Sequence, residues 1–258
     1  MLTGKTALIC GSSQGIGKAC AYLFAQQGCR VVALARSKDK LEELVEELNT
    51  LSSQKHSYIH ADLLKQEEYM SYVEDILKEH PIDILVNNSS GPRAGPLVEA
   101  QGNDFLMAFH QHLIPSHNLT AKIAPRMKQE GYGRIINILS TSVKVPIPNL
   151  GVSNTVRAAV ASWAKTLSLE LGPYGITVNN VLPGFTQTSR LEELIALNAQ
   201  KMGVSYEKMS FLCKERVPLK RFASPEEIAS AILFLASPAA SYVSGVSLPV
   251  DGGRTECF

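Results

Sequence analysis

The chain has 258 residues, a formal net charge of +1, and 45% hydrophobic against 19% charged residues. The near-neutral balance excludes the broad basic face of a nucleic-acid binder, and no apolar run approaches the ~20 residues that cross a bilayer. What remains is one globular α/β domain, residues 1–258, large enough to bury a substantial core.

Residues 6–10, Thr-Ala-Leu-Ile-Cys, make an apolar run of one buried strand's length. Starting so early, this strand leaves no room for a signal peptide in residues 1–5, and a cytoplasmic location is expected. The five cysteines (Cys10, Cys20, Cys29, Cys213, Cys257) fit that compartment: they show neither C-x-x-C nor zinc spacing and read as reduced thiols, with no metal site expected. Gly11-Ser12-Ser13-Gln14-Gly15-Ile16-Gly17 follows at once, and then a helical stretch with Ala19, Leu23 and Phe24 on one face. Strand, glycine turn and helix form the context in which glycines hold a pyrophosphate. Gly11 permits the sharp turn, Gly15 the approach of backbone to phosphate, and Gly17 close packing of helix on strand. The helix N-terminus offers unpaired N–H groups to the anion.

Residues 30–35 read as a second buried strand, ending at Arg36 and Ser37. In a dinucleotide fold an acid at this strand end would bind the adenosine 2′-hydroxyl. Ala35 stands there instead and Arg36 follows, which suits a 2′-phosphate and favours NADP(H) over NAD(H). A helix over 39–51 and a strand over 57–61 come next, and Asp62-Leu63 at that strand end would lie beside the adenine. His56, His60 and His80 lack ligand spacing and are expected to be structural or exposed. A helix over 66–79 precedes a fourth strand over 82–86, whose end carries Asn87, Asn88 and Ser89 beside the expected ribose position.

Residues 104–130 read as one long helix, broken or kinked near Pro115 and holding His110, His112 and His117. The fifth strand, 134–139, ends at Ser140-Thr141-Ser142, with Lys144 in the loop that follows. A helix over 153–171 leads to a sixth strand over 176–181, closed by Leu182-Pro183-Gly184. Residues 186–222, which include a helical stretch over 190–201, are long enough for a lid over a substrate pocket. A last helix over 225–236, with Ser224 as N-cap and Pro at its first position, and a seventh strand over 246–250 complete the chain. Regular alternation of strands and helices predicts a doubly wound, seven-stranded parallel sheet with helices on both faces.

Gly11-x-x-x-Gly15-Ile16-Gly17, Asn87-Asn88-x-x-Gly91, the strand ending at Ser140, Pro183-Gly184-x-x-x-Thr188, Pro225-Glu226-Glu227 and Val250-Asp251-Gly252-Gly253 occur in that order. Over nearly its whole length the chain therefore resembles the short-chain dehydrogenase/reductase family. The resemblance implies a Rossmann fold and hydride transfer between a nicotinamide and a small carbonyl or alcohol. It implies that Ser140 bonds the substrate oxygen and that Thr188, with backbone near Thr186, seats the carboxamide. It also implies a homodimer or homotetramer, with the helices over 104–130 and 153–171 as candidate interfaces.

The chain departs from the family at the catalytic positions. Ser153 stands where the family has its proton-donating Tyr, Arg157 where it has Lys, and His112 approximately where it has Asn. Cys10 replaces a usual Thr, and the Asn-Asn segment lacks its usual Ala-Gly. Serine is far less acidic than a phenol, and Arg157 cannot serve as acid or base, though it could bond the ribose hydroxyls. His112 and Lys144 are the candidate proton sources. Two readings follow: an NADP(H)-dependent oxidoreductase of 3-oxoacyl type with a rebuilt proton relay, or a catalytically silent NADP-binding sensor or scaffold subunit.

Overall fold

β1 (Thr6–Cys10) is buried on both faces, as its uninterrupted apolar run requires, and such a strand is stable only inside a parallel sheet covered on both sides. The computed structural model describes residues 2–257. β1 lies between β2 (Arg30–Ala35) and β4 (Ile84–Asn87), with β3 (Ser57–His60) at one edge. β5 (Gly133–Ile138), β6 (Ile176–Pro183) and β7 (Ser247–Val250) extend the other side. The order is β3-β2-β1-β4-β5-β6-β7, and every pair is parallel.

One face of the sheet is covered by α1 (Gly15–Gln26), α2 (Lys38–Leu51) and α8 (Pro225–Ala236), around a core that includes Phe24, Leu44, Val86 and Ile232. The other face is covered by α3 (Gln66–Glu79), α4 (Gly102–Glu130) and α5 (Gly151–Leu171), around Leu85, Ile123, Ile135 and Ala164. This is the single-domain Rossmann arrangement expected from the sequence. α8 begins as expected too: Pro225 opens it, and Ser224 and Glu227 cap each other reciprocally.

Some expectations need correction. α4 is one unbroken helix in spite of Pro115 and Pro125 inside it. An interior proline costs about 3 kcal/mol. The buried stripe of Ala108, His112, Pro115, Leu119 and Ile123 seats the helix against the sheet and offsets that cost. The Ser116 hydroxyl also donates to the His112 carbonyl at 2.7 Å. Residues 186–222 contain two helices where the sequence suggested one stretch: α6 (Ser189–Met202) and α7 (Tyr206–Glu215), sharing a small core of Leu191, Ile195, Met209, Cys213 and Phe222.

The connections leave β1 towards β2 on one side and arrive at β4 on the other. The carboxyl ends of β1 and β4 therefore flank the point where the winding reverses, where crevices form in such sheets.

Candidate active site

The glycine turn sits at that crevice. Gly11 and Gly15 have φ of 62° and 56°, a region that residues with a Cβ avoid. A Cβ on Gly17 would lie 2.2 Å from the Gly11 carbonyl oxygen, so α1 can pass this close to β1 only with glycine there. Ser12 is fully buried and its hydroxyl donates to the Leu34 carbonyl at 3.3 Å, which fixes the turn to β2. Ser13 and Gln14 lie at the outer side of the turn, and Ile16 packs under it against the core. The first turn of α1 holds no acidic residue, so nothing in it opposes a bound phosphate. The cradle, which a side chain would fill, fits a dinucleotide pyrophosphate.

Further expected cofactor residues lie at or just past the carboxyl ends of the neighbouring strands. Asn88 donates its amide to the Gly11 carbonyl at 3.4 Å, tying the end of β4 to the turn. Arg36 follows β2 directly, is exposed, and enters no ion pair among the described residues; Ser37 is the N-cap residue of α2. Asp62 accepts from the Leu64 backbone at 3.0 Å, and Leu63 lies beside Cys10. Pro183 ends β6, and Gly184 passes so close to Asp251 that a Cβ would meet its Cα at 2.7 Å. Thr186 and Thr188 bond within their own loop, to the carbonyls of Gly184 and Thr186, each at 3.3 Å. The Thr188 methyl rests on Gly15, at 3.2 Å from where a Cβ would stand.

Ser140 lies two residues beyond the end of β5, and its oxygen accepts from the Ser142 backbone N–H at 3.1 Å. The hydroxyl proton stays free to donate. Ser153 lies in the first turn of α5 and Arg157 one turn later, so both point the same way. Arg157 donates through Nε to the Ser153 hydroxyl at 3.2 Å, and through Nη1 to the carbonyls of Leu139 at 2.8 Å and Ile138 at 3.3 Å. The side chain is buried, and burial, followed by the charge of Arg190, lowers its pKa to about 10. It remains a cation at neutral pH.

His112 comes to the same end of the sheet from α4. Its Nδ1 shares a hydrogen bond of 2.7 Å with the Ser89 hydroxyl. Burial, then the charge of Arg157, lowers its pKa to about 3. Its Nε2 has no protein partner, and His112 lines a partly open cavity of about 10 Å³ together with Asn87, Asn137 and Leu139. Lys144 stands just past the 3-10 turn Thr141–Val143, and its ammonium has no partner among the described residues. The structure thus links Ser153, through Arg157, to the Ile138 and Leu139 carbonyls, next to Ser140 in the chain. It leaves His112 with Ser89 and Lys144 apart.

Two features escaped the sequence reading. Asn87 donates to Asn137 at 2.9 Å, Asn137 to Asn180 at 2.9 Å, and Asn180 to Ser247 at 3.0 Å, a polar ladder across four strands just below the site. The signal was an Asn at or near the end of three successive apolar strands. Arg190, at the start of α6, reaches back to the Pro92 carbonyl at 3.0 Å, and no local pattern marked it.

A family model described as Enoyl-(Acyl carrier protein) reductase matches residues 11–255. The chain is 36% identical over 255 residues to the 3-oxoacyl-[acyl-carrier-protein] reductase FabG of Thermotoga maritima, covering 98% of each chain. It superimposes with a TM-score of 0.93 on L-sorbose reductase from Gluconobacter frateurii, solved with NADPH and L-sorbose, at 30% identity over 100% of this chain and 98% of that one. A short chain dehydrogenase/reductase family protein matches with a TM-score of 0.83 at 32% identity over 99% of both chains. With the Rossmann sheet, the glycine cradle and this full-length likeness together, the chain belongs to the short-chain dehydrogenase/reductase family.

Proposed function

We propose that this chain is an NADP(H)-dependent reductase of a small carbonyl substrate, of 3-oxoacyl type, working with a rebuilt proton relay in the cytoplasm. The observation that carries the reading is a glycine cradle kept whole, together with Arg157 bonded to the Ser153 hydroxyl and to the Ile138 and Leu139 carbonyls, next to Ser140 in the chain. The NADPH of the L-sorbose reductase structure and the unpaired Arg36 support the choice of nucleotide. Gly11, Gly15 and Gly17 would hold the pyrophosphate, Arg36 and Ser37 the 2′-phosphate, Asp62 and Leu63 the adenine, Asn88 and Ser89 the ribose side, and Thr186 and Thr188 the nicotinamide amide.

When bound, NADPH supplies the hydride. The residues of this chain handle the oxygen. Ser140 and Ser153 donate hydrogen bonds to the carbonyl oxygen as it gains charge, and Arg157 holds Ser153 in place while lending its positive field. Arg157 keeps Nη2 for a ribose hydroxyl. The product oxygen takes its proton from Ser153, which is resupplied from water. Residues 186–222 act as the lid. Self-association through α4 and α5, as a homodimer or homotetramer, belongs to the same reading; the exposed Leu106, Met107 and Leu169 on those helices support it.

The test is NADPH oxidation against a panel of ketones, oxo acids and 3-oxoacyl thioesters. Turnover is expected with at least one. Ser140→Ala should lower kcat by about 100-fold and leave NADPH affinity unchanged. Tight NADPH binding with no turnover across the panel would falsify the reductase reading in favour of the second, a silent NADP-binding sensor or scaffold. The three neutral partners that already engage Arg157 favour that second reading.

A further inference from the structure

Arg157 is a buried cation with no anion. Its partners are a hydroxyl and two carbonyls, and no carboxylate pairs with it among the described residues. The charge that acts on it is another guanidinium, Arg190. The two arginines converge on adjacent loop residues. Arg157 Nη2 lies 3.6 Å from where a Gly91 Cβ would stand, and Arg190 Nη2 donates to the Pro92 carbonyl at 3.0 Å. The next residue of that loop, Arg93, is a third, exposed cation. The one acid in contact is Glu193, 3.4 Å from Arg190 Nη1 and itself largely exposed, so it neutralises little.

Burying one guanidinium against neutral acceptors is costly, and a second beside it adds repulsion. A bound anion relieves both. The donor count leaves room for one. Of the five N–H groups of Arg157, Nε uses one and Nη1 two, so both on Nη2 stay free. The Nε of Arg190 is also unengaged.

We propose that Arg157 and Arg190 form a receptor for the substrate's carboxylate, so that the substrate is an oxo acid taken as its anion and not a neutral ketone or thioester. This rests on the reductase reading above, keeping its carbonyl reduction and replacing its 3-oxoacyl thioester with a free oxo acid. One Nη2 N–H of Arg157 serves the ribose and the other a carboxylate oxygen. Arg190 takes the second oxygen, drawing α6 down over the bound acid.

The test separates the two readings. Oxalate, a non-reducible dicarboxylate, is titrated calorimetrically into the protein with and without NADP⁺. Oxalate should bind, and Arg190→Gln should weaken it about tenfold or more while NADP⁺ affinity is unchanged. Among substrates that turn over, an oxo acid should exceed its methyl ester by about tenfold in kcat/KM, a preference that Arg190→Gln abolishes mainly through KM. The proposal fails if oxalate does not bind, if it binds Arg190→Gln equally well, or if Arg190→Gln weakens NADP⁺ instead, which would assign the charge to the cofactor. Oxalate binding without NADP⁺ binding would overturn the reductase reading and leave the anion receptor standing.

Discussion

At pH 7 the His112 imidazole is neutral, because burial and then the Arg157 charge hold its pKa at about 3 against an ordinary 6.5. In the unfolded chain the same ring takes up a proton below about 6.5. Between those values the unfolded state binds more protons than the folded one, so stability falls as pH falls through the window. At 1.36 kcal/mol per unit, the loss between pH 7 and pH 4 is about 3 kcal/mol. His112→Asn should remove that part of the acid sensitivity; urea midpoints for both proteins at the two pH values measure it, and equal slopes would refute the assignment. His56 keeps a contribution of the same sign in either protein, since burial and Arg30 lower its pKa too. The residue types at this site were legible in the sequence, from Ser140 to Arg157. Their partners were not. Ser89 meets His112 across 23 positions of chain, and Arg157 meets the Leu139 carbonyl across 18. A hydrogen bond of that span exists only once α4 and α5 have docked on the sheet.

Strands and helices were legible where one period ruled the segment. β2 was expected over the residues it occupies, and α3 and α8 likewise. The division of residues 186–222 was missed although its punctuation is local. Gly203 closes α6 at φ 64°, and the Ser205 hydroxyl then caps α7 by accepting from Lys208. The amide ladder was missed for another reason. Its register, Asn87 opposite Asn137 opposite Asn180 opposite Ser247, depends on which strands become neighbours. Asn137 is the link, accepting from Asn87 and donating to Asn180 within a buried layer. Asn137→Ala leaves a donor and an acceptor unpaired where water is scarce, each at about 1–3 kcal/mol. The expected destabilisation of about 2–6 kcal/mol should lower the urea midpoint without changing the slope. A loss below about 1 kcal/mol would show that the ladder is not what holds these strand ends in register.

For the molecule as a whole, alternation of elements was enough for a parallel, doubly wound sheet, but strand order came only with the structure, because it depends on which side of β1 each crossover takes. That order decides where the site lies. β2 and β4 both border β1, which brings Arg36 and Asn88 to the same edge as Gly11 although they are far apart in the chain. A ligand that spans the edge clamps the ends of three strands and the start of α1, so its binding should stabilise the whole cooperative unit. A one-site ligand at a hundred times its Kd adds about 2.7 kcal/mol. For a chain of this size that raises Tm by about 5–10 °C. NADP⁺ should produce this rise and NAD⁺ at the same concentration much less, because Arg36 has a 2′-phosphate to meet only in the first. Arg36→Glu should cancel the NADP⁺ shift while leaving the unliganded Tm nearly unchanged, since the side chain is exposed and unpaired. Equal shifts from both nucleotides would move the selectivity away from Arg36. The absence of any shift would remove the common basis of the reductase and the sensor, since both depend on one grip at the glycine turn.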